Sequence, residues 1–333
     1  MRADGESAAG IRHVVTTIAV IGAFHAVPPA DELRAALPDD RIVAITAGDE
    51  FGPAVEAEVL LGSPNPERIR AFIASAPKLR WIHTFSAGVD RLLLPEIIER
   101  DGLTLTNNTG AYDVPIAEHV MAMLFAAAKG LPEHVTRQAR HEWGRDVVRT
   151  ELRDTTLVIV GLGSIGGELA RLAAGIGMRV IGVRRDTSRS VPGVGRVVAA
   201  ADLETVAREA DYVVVTAALT PETKGLVSAE VLAALKPTAW VVNIARGPIV
   251  DEGALIAALR DRRIGGAALD VFDTEPLPAD SPLWDLPNVI LTPHVSGNSP
   301  RVRQRSLAFV VENVRRFKAG EPLLNVVDKK AGY

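Results

Sequence analysis

Four apolar residues, Leu157 to Val160, run directly into glycines at Gly161, Gly163 and Gly166. After the third glycine, apolar residues recur at helical spacing, and a second apolar stretch follows at residues 178–183. This order of strand, turn, helix and strand predicts a βαβ unit whose helix N-terminus presents free N–H groups to an anion. The pattern therefore indicates a parallel α/β sheet and a site for the pyrophosphate of a dinucleotide.

The glycines of this turn have separate tasks. Gly161 permits the tight bend, Gly163 lets the backbone approach a pyrophosphate, and Gly166 lets the helix pack closely on the strand. Ser164 and Ile165 lie between them, and we count all five residues as cofactor-binding.

Composition limits the classes of function. With 333 residues, of which 47% are hydrophobic and 23% charged, the chain can bury two sizeable cores. A formal net charge of −4 gives no reason to expect a nucleic acid or a membrane as partner. The chain has no cysteine, which excludes disulfides, thiolate metal sites and a cysteine nucleophile, and we predict no metal site. No apolar run approaches the roughly 18 residues that span a bilayer, and we expect a cytoplasmic protein.

Strand-like and helix-like segments alternate along the chain. They predict a small α/β domain before Asn107 and a doubly wound parallel sheet from Leu157 onward, followed by a final helix over residues 301–318. Two segments between these parts each allow more than one interpretation. Glu118 and His119 favour a satisfied buried pair over catalysis, and the arginine-rich residues 131–154 around Trp143 suit either a solvated helix or an arm that reaches a second subunit.

Three predicted strands of the second domain end in side chains that carry chemistry. Arg246 follows residues 240–244, Glu275 follows residues 267–271, and His294 follows residues 289–292. Parallel strands deliver their carboxyl ends to one edge of a sheet, so the three side chains can converge beside a nicotinamide. Taken singly, each could be a surface, turn or packing residue, but the occurrence of all three after a dinucleotide-binding motif favours an active site.

Such a set suits the reduction of a 2-oxo acid. Hydride delivery to the carbonyl carbon leaves an alkoxide that must be protonated, and a histidinium is the natural donor near neutral pH. A carboxylate beside the imidazole favours its charged form and fixes its orientation. The planar fork of an arginine matches a substrate carboxylate and can polarise the carbonyl.

At this point the chain resembles the D-isomer-specific 2-hydroxyacid dehydrogenase family, over nearly all of residues 14–327. The matching stretches are residues 86–90, 161–166, 219–225, 243–247, 268–272 with 275–276, and 292–294. The resemblance implies a Rossmann cofactor domain, residues 108–295, inserted into a split, flavodoxin-like substrate domain, residues 11–107 and 296–333. Both domains would be doubly wound parallel α/β sheets.

The resemblance also implies roles for single residues. Arg246 would bind the substrate carboxylate, His294 would be the acid/base, and Glu275 would be its partner. The backbone N–H groups of three residues would face the substrate: Ala87, Gly88 and Val89. Thr216, Ala245 and Asp270 would lie on the cofactor side, and the family resemblance implies a homodimer.

One departure from the family concerns the cofactor. Where members that use NAD carry an acidic residue for the adenosine ribose, this chain has Arg184 and Arg185. Guanidinium groups bind phosphate through paired, charge-assisted hydrogen bonds, so we predict that NADP is preferred and that NAD is possible.

The resulting prediction is hydride transfer between NAD(P)H and a small 2-oxo or D-2-hydroxy acid, with glyoxylate or hydroxypyruvate favoured. The alternatives are a phosphoglycerate-type dehydrogenase and a non-catalytic, dinucleotide-sensing scaffold of the same fold. Formate dehydrogenases of the superfamily carry a glutamine in place of Glu275, which disfavours that activity.

Overall fold

A computed structural model describes residues 15–22, 26–46, 50–62, 65–147 and 149–333, which divide into two compact units. The described residues up to Ser86, with Arg91–Asn108 and Arg303–Lys329, form the first unit. Ala87–Asp90, Thr109–Val302 and Lys330–Tyr333 form the second. The predicted domain start at residue 11 lies outside the described residues.

The units depart from the predicted domain ranges at residues 87–90, 108, 296–302 and 330–333. The first difference has a clear cause, because Asp90 forms an ion pair with Arg246 of the second unit. The assignment of one unit to the substrate and the other to the cofactor stays a prediction.

The first unit is built on a five-stranded sheet. Its elements are β1 (Thr17–Ile21), α1 (Ala30–Ala36), β2 (Arg41–Ile45), β3 (Val59–Gly62), α2 (Pro66–Ser75), β4 (Trp81–His83), α3 (Pro95–Ile98) and β5 (Thr104–Thr106). All strand pairs are parallel, in the order β2-β1-β3-β4-β5. This is the flavodoxin-like order. Strands such as β3 are buried along their whole length, as expected for a parallel sheet with both faces covered.

The second unit contains a seven-stranded sheet. Its elements are α4 (Asp113–Lys129), α5 (Leu131–Ala139), β6 (Thr156–Val160), α6 (Ser164–Gly175), β7 (Arg179–Val183), β8 (Arg196–Val198), α7 (Leu203–Ala207), β9 (Tyr212–Val215), α8 (Ala229–Ala234), β10 (Trp240–Asn243), α9 (Glu252–Arg260), β11 (Gly266–Leu269) and β12 (Val289–Leu291). The final helix, α10 (Pro300–Ala319), begins in this unit, and its residues from Arg303 belong to the first. Short 3-10 helices lie at Gly52–Glu56, Asp90–Leu92, Ala200–Asp202, Gly247–Ile249 and Pro282–Trp284.

The strand order of this sheet is β12-β11-β10-β9-β6-β7-β8, and all pairs are parallel. The predicted pair of doubly wound parallel sheets is thereby confirmed. The strand β6 lies between β7 and β9, so the chain reverses its direction of winding at the carboxyl end of β6. In open α/β sheets ligands bind at this switch point.

The helix α4 corrects one expectation. It packs against α6 through a buried apolar face, but Glu118 is exposed and His119 is half-buried, so the two do not form a buried pair. Among the described residues, no single helix is long and apolar enough to cross a membrane; α4 and α5 meet that criterion only together, by length and composition, across a bend of 70°.

A buried histidine makes the stability of the first unit depend on pH. His83 in β4 is fully buried, and its Nδ1 lies 2.9 Å from the Thr106 hydroxyl, which also accepts a hydrogen bond from Trp81 Nε1. Burial lowers the pKa of His83 from 6.5 to about 3. Between these values the unfolded chain binds a proton that the folded chain does not.

We therefore expect the free energy of unfolding to be unaffected by His83 above pH 6.5 and to fall by about 1.4 kcal/mol per pH unit below it. Urea unfolding of the wild type and of His83→Phe at neutral pH and at about pH 5 measures this. The wild type should lose about 2 kcal/mol more than the variant. Equal losses would mean that the folded protein protonates His83.

Candidate active site

The glycine turn has the close packing that its sequence predicts. Gly161 has φ +105°, and a Cβ there would lie 2.6 Å from Ala217 Cα. A Cβ on Gly166 would lie 2.9 Å from Thr216 Oγ1, and that hydroxyl donates a hydrogen bond of 2.5 Å to the Gly161 carbonyl. A larger residue at Gly161 would displace the loop after β9, and one at Gly166 would displace the backbone of Gly161 itself.

Gly163 is different, because a Cβ there would meet no atom within 4 Å. The open space lies beside the first turn of α6, whose first N–H groups have no acceptor within the helix. A backbone that can be approached closely and a helix N-terminus fit the pyrophosphate of a dinucleotide. When bound, a reduced nicotinamide dinucleotide supplies the hydride.

The loop after β7 is basic. Arg184 is half-buried and Arg185 is exposed, and among the described residues neither forms a salt bridge. The one carboxylate of this loop, Asp186, accepts hydrogen bonds from the backbone and hydroxyl of Ser188 and lies 3.3 Å from Arg189 Nε. The bonds from Ser188 lower the pKa of Asp186, with a smaller contribution from the charges of Arg189 and Arg184. The carboxylate of Asp186 thus has its partners, Ser188 and Arg189, within the loop itself.

Arg246 is held from two sides at the end of β10. Its Nε and Nη2 donate to Asp90 Oδ1 at 3.1 and 2.9 Å, and its Nη1 donates to the Ala245 carbonyl at 2.7 Å. A guanidinium has five N–H bonds, so two remain, one on each terminal nitrogen. That end of the fork can bind a carboxylate in bidentate fashion.

The surroundings of Arg246 depend on two further residues. A Cβ on Gly88 would lie 3.0 Å from Arg246 Cζ and still closer to Nη2, so a larger residue there would displace the guanidinium from this position. Asn243, only 2% exposed, donates to the Arg246 carbonyl and accepts from the Ala245 N–H, which fixes the loop after β10. Of the other predicted substrate-facing residues, Ala87 is half-buried and Val89 is buried.

His294 and Glu275 form the predicted pair. His294 Nδ1 lies 2.8 Å from Glu275 Oε2, while the Phe272 N–H donates to Glu275 Oε1 at 3.1 Å. Because a carboxylate only accepts, Nδ1 carries the proton and Nε2 is the nitrogen left for a substrate. The preceding turn is held by Glu252, which accepts from the Asp273 N–H, and burial raises the pKa of both Glu252 and Asp273.

Arg246, Glu275 and His294 follow three neighbouring strands, β10, β11 and β12, at one edge of the sheet. The first two loops touch, because a Cβ on Gly247 would collide with the Phe272 backbone. The arrangement can bind a carboxylate and donate a proton next to the dinucleotide site.

Asp270 has a position that the sequence did not indicate. It is fully buried, and its carboxylate accepts from the Thr292 hydroxyl and from the Val295 and Ser296 N–H groups. Its carbonyl accepts from the His294 N–H at 2.8 Å. The residue therefore fastens the turn in which His294 adopts φ +54°. Its predicted contact with the cofactor stays a prediction, as do those of Thr216 and Ala245.

Comparison with known proteins decides the family. Residues 121–296 match the model of the NAD binding domain of D-isomer specific 2-hydroxyacid dehydrogenases. The chain belongs to this family. The dehydrogenase is thus an NAD(P)-dependent oxidoreductase acting on CH–OH groups. Among the described residues, no group of three or more histidine, aspartate or glutamate side chains could hold a metal ion.

Curated relatives of the dehydrogenase differ in name and length. Glyoxylate/hydroxypyruvate reductase B of Pectobacterium atrosepticum is 35% identical over 311 residues, which cover 90% of this chain and 95% of that protein. D-3-phosphoglycerate dehydrogenase of Methanocaldococcus jannaschii is 34% identical over 274 residues, 82% of this chain. The match spans only 52% of the latter protein.

Among the solved structures that match, the following two cover nearly all of this chain. A D-isomer specific 2-hydroxyacid dehydrogenase from Xanthobacter autotrophicus, in complex with NADPH, has a TM-score of 0.83 and 34% identity over 96% of this chain and 100% of its own. An NADPH-dependent glyoxylate/hydroxypyruvate reductase from Sinorhizobium meliloti, in complex with NADP, has a TM-score of 0.81 and 31% identity over the same shares.

Proposed function

We propose that this dehydrogenase reduces small 2-oxo acids, glyoxylate and hydroxypyruvate foremost, with NADPH as hydride donor. The observation that carries the proposal is the 2.8 Å contact of His294 Nδ1 with Glu275 Oε2. The two residues follow β12 and β11, the two strands on one side of β10, at whose end Arg246 lies. Arg246 binds the substrate carboxylate and polarises the neighbouring carbonyl. His294 donates the proton from Nε2 to the alkoxide oxygen, and Glu275 stabilises the imidazolium that is consumed.

The relatives support this substrate class. Several carry the name glyoxylate/hydroxypyruvate reductase, and two of these match over 95% of their length. Relatives named D-3-phosphoglycerate dehydrogenase match over about half of their own length, and the substrate panel below tests this alternative. The scaffold alternative is disfavoured, because a protein that only senses a dinucleotide does not need a histidine, a carboxylate and an arginine at the substrate edge.

A panel of 2-oxo acids tests the substrate class. Initial rates with glyoxylate, hydroxypyruvate, pyruvate and 3-phosphohydroxypyruvate should give the highest kcat/KM for one of the first two. A preference for 3-phosphohydroxypyruvate would favour the phosphoglycerate-type alternative, and no turnover of any acid would favour the scaffold.

The cofactor preference has a separate test at Arg184. A carboxylate at this position would repel the 2′-phosphate and accept hydrogen bonds from the ribose hydroxyls. We expect kcat/KM for NADPH to exceed that for NADH in the wild type, and Arg184→Asp to lower the ratio by about 10-fold or more, since a charge-assisted hydrogen bond contributes about 1.5–3 kcal/mol. Arg208→Asp, an exposed arginine on the same unit, is the control. An unchanged ratio in Arg184→Asp would contradict the assignment.

The predicted homodimer is part of the proposal. The exposed large apolar side chains on α4, on α5 and in the loop that follows include Phe125, Leu131, Val135 and Trp143, the last at 90%. Large exposed apolar patches mark interaction surfaces, so we place the dimer contact at these side chains. Light scattering should give the mass of two chains, and Trp143→Ser should weaken the association.

Because NADPH is a cofactor of reactions inside the cell, we also propose a cytoplasmic location, which cell fractionation tests.

A further inference from the structure

The basic loop after β7 is contacted by a residue far away in the sequence. Arg185 Nη1 donates a hydrogen bond of 2.9 Å to Tyr333 Oη, and the guanidinium carbon lies 5.5 Å from the centroid of the Tyr333 ring. Tyr333 belongs to the same compact unit as the loop and is 51% exposed. The contact joins positions 148 residues apart in the chain.

This contact orients Arg185 without neutralising it. Arg189 of the same loop is paired with Asp186, whereas the contact of Arg185 is with the hydroxyl and the ring of Tyr333 and not with a carboxylate. Tyr333 uses one of the five guanidinium N–H bonds and leaves four. The charge of Arg185 also acts on the carboxylate of Glu222. It makes the smallest contribution to the lowered pKa of Glu222, which is due mainly to a hydrogen bond from Thr220.

An exposed arginine ordinarily loses rotamer freedom when it binds an anion. Ordering one long side chain costs about 0.5–1.5 kcal/mol. A side chain that is already held by a hydrogen bond and by a cation–π contact has lost part of this freedom before the ligand arrives.

We propose that Tyr333 is a positioning residue for cofactor selection, which holds Arg185 in place for the 2′-phosphate of NADPH. The proposal rests on the proposed function, in which Arg184 and Arg185 bind that phosphate. It assigns to Tyr333 an effect on ligands with a 2′-phosphate and none on ligands without one.

Binding of two nucleotide fragments tests the proposal without turnover. Calorimetry on the full chain gives Kd for adenosine 2′-monophosphate and for adenosine 5′-monophosphate, in wild type, Tyr333→Ala and Tyr333→Phe. We expect Tyr333→Ala to raise Kd for the 2′-phosphate about 2- to 12-fold, the equivalent of 0.5–1.5 kcal/mol, and to leave Kd for the 5′-phosphate unchanged. Tyr333→Phe, which keeps the ring and loses the hydroxyl, should lie between the two.

The outcomes separate this inference from the proposed function. If the wild type binds the 2′-phosphate more tightly than the 5′-phosphate and Tyr333→Ala binds both as the wild type does, the role of Tyr333 is wrong and the NADPH preference stands. If the wild type does not distinguish the fragments, both are overturned. An equal loss for both fragments would mean that Tyr333 supports the loop in general. Trp284→Ala removes an aromatic residue of similar exposure from the same unit and should change neither Kd.

Discussion

Replacing His294 by alanine is expected to lower kcat by about 10²- to 10⁴-fold, the usual contribution of a general acid. The imidazole is positioned for this role, because Glu275 holds Nδ1 at 2.8 Å and leaves Nε2 for the alkoxide. Steady-state rates with glyoxylate and NADPH measure the loss.

Binding of NADPH, followed by nucleotide fluorescence, is the control for His294→Ala and should be unchanged, since the hydrogen bonds of His294 are made with Glu275 and with the carbonyls of residues 270 and 292, not with the glycine turn or the basic loop. Glu275→Gln keeps the shape of the partner but removes its charge, so we expect a smaller loss of kcat. Turnover of His294→Ala near that of the wild type would remove the imidazole from the mechanism.

Replacing Arg246 by glutamine is expected to lower kcat/KM for the 2-oxo acid by about 30- to 5,000-fold. Truncating one partner of a hydrogen-bonded charge pair costs about 2–5 kcal/mol. The loss should fall on kcat as well as KM, because the same guanidinium polarises the carbonyl on its way to an alkoxide.

Asp90→Asn is the matched variant for Arg246. The amide oxygen can still accept from Nε and Nη2, so the fork stays in place while the charge of its partner is lost. We expect a loss smaller than that of Arg246→Gln. A wild-type kcat/KM in Arg246→Gln would exclude Arg246 from substrate binding, whatever Asp90→Asn does.

The glycine turn was the part of the molecule that the sequence predicted best. Its glycines, the apolar run before it and the helical spacing after it are local signals, and the structure has β6, the turn and α6 in that order. The family and the two parallel sheets are confirmed as well. These features follow from short-range patterns of burial and backbone conformation, which leave their mark in consecutive residues.

Other elements have no local sequence pattern that predicts them. The strand β8 has three residues at the edge of the sheet, none of them fully buried, so it lacks an apolar run. The helix α5 has no buried residue at all, and its sequence therefore fitted a solvated helix as well as an arm. Glu118 turned out exposed, because one charged residue on a mostly apolar helix can occupy its narrow solvent-facing side.

The support of the site comes from contacts that no spacing reveals. Asp90 and Arg246 are 156 residues apart, and Asp270 reaches the N–H groups of residues 295 and 296 from the preceding strand end. Sequence patterns place Arg246, Glu275 and His294 at strand ends, but the partners that orient them depend on how the loops fold over the sheet edge. Asn243 lies in the stretch 243–247 that matches the family, but its burial beside Arg246 could not be read from the sequence.

The most direct test of the proposed function is the oxidation of NADPH by the purified full chain on addition of glyoxylate or hydroxypyruvate, followed by absorbance and compared with NADH. The proposed function predicts rapid oxidation of NADPH, slower oxidation of NADH, and loss of both rates in His294→Ala. Absence of NADPH oxidation with every small 2-oxo acid, in protein that binds the nucleotide, would contradict it.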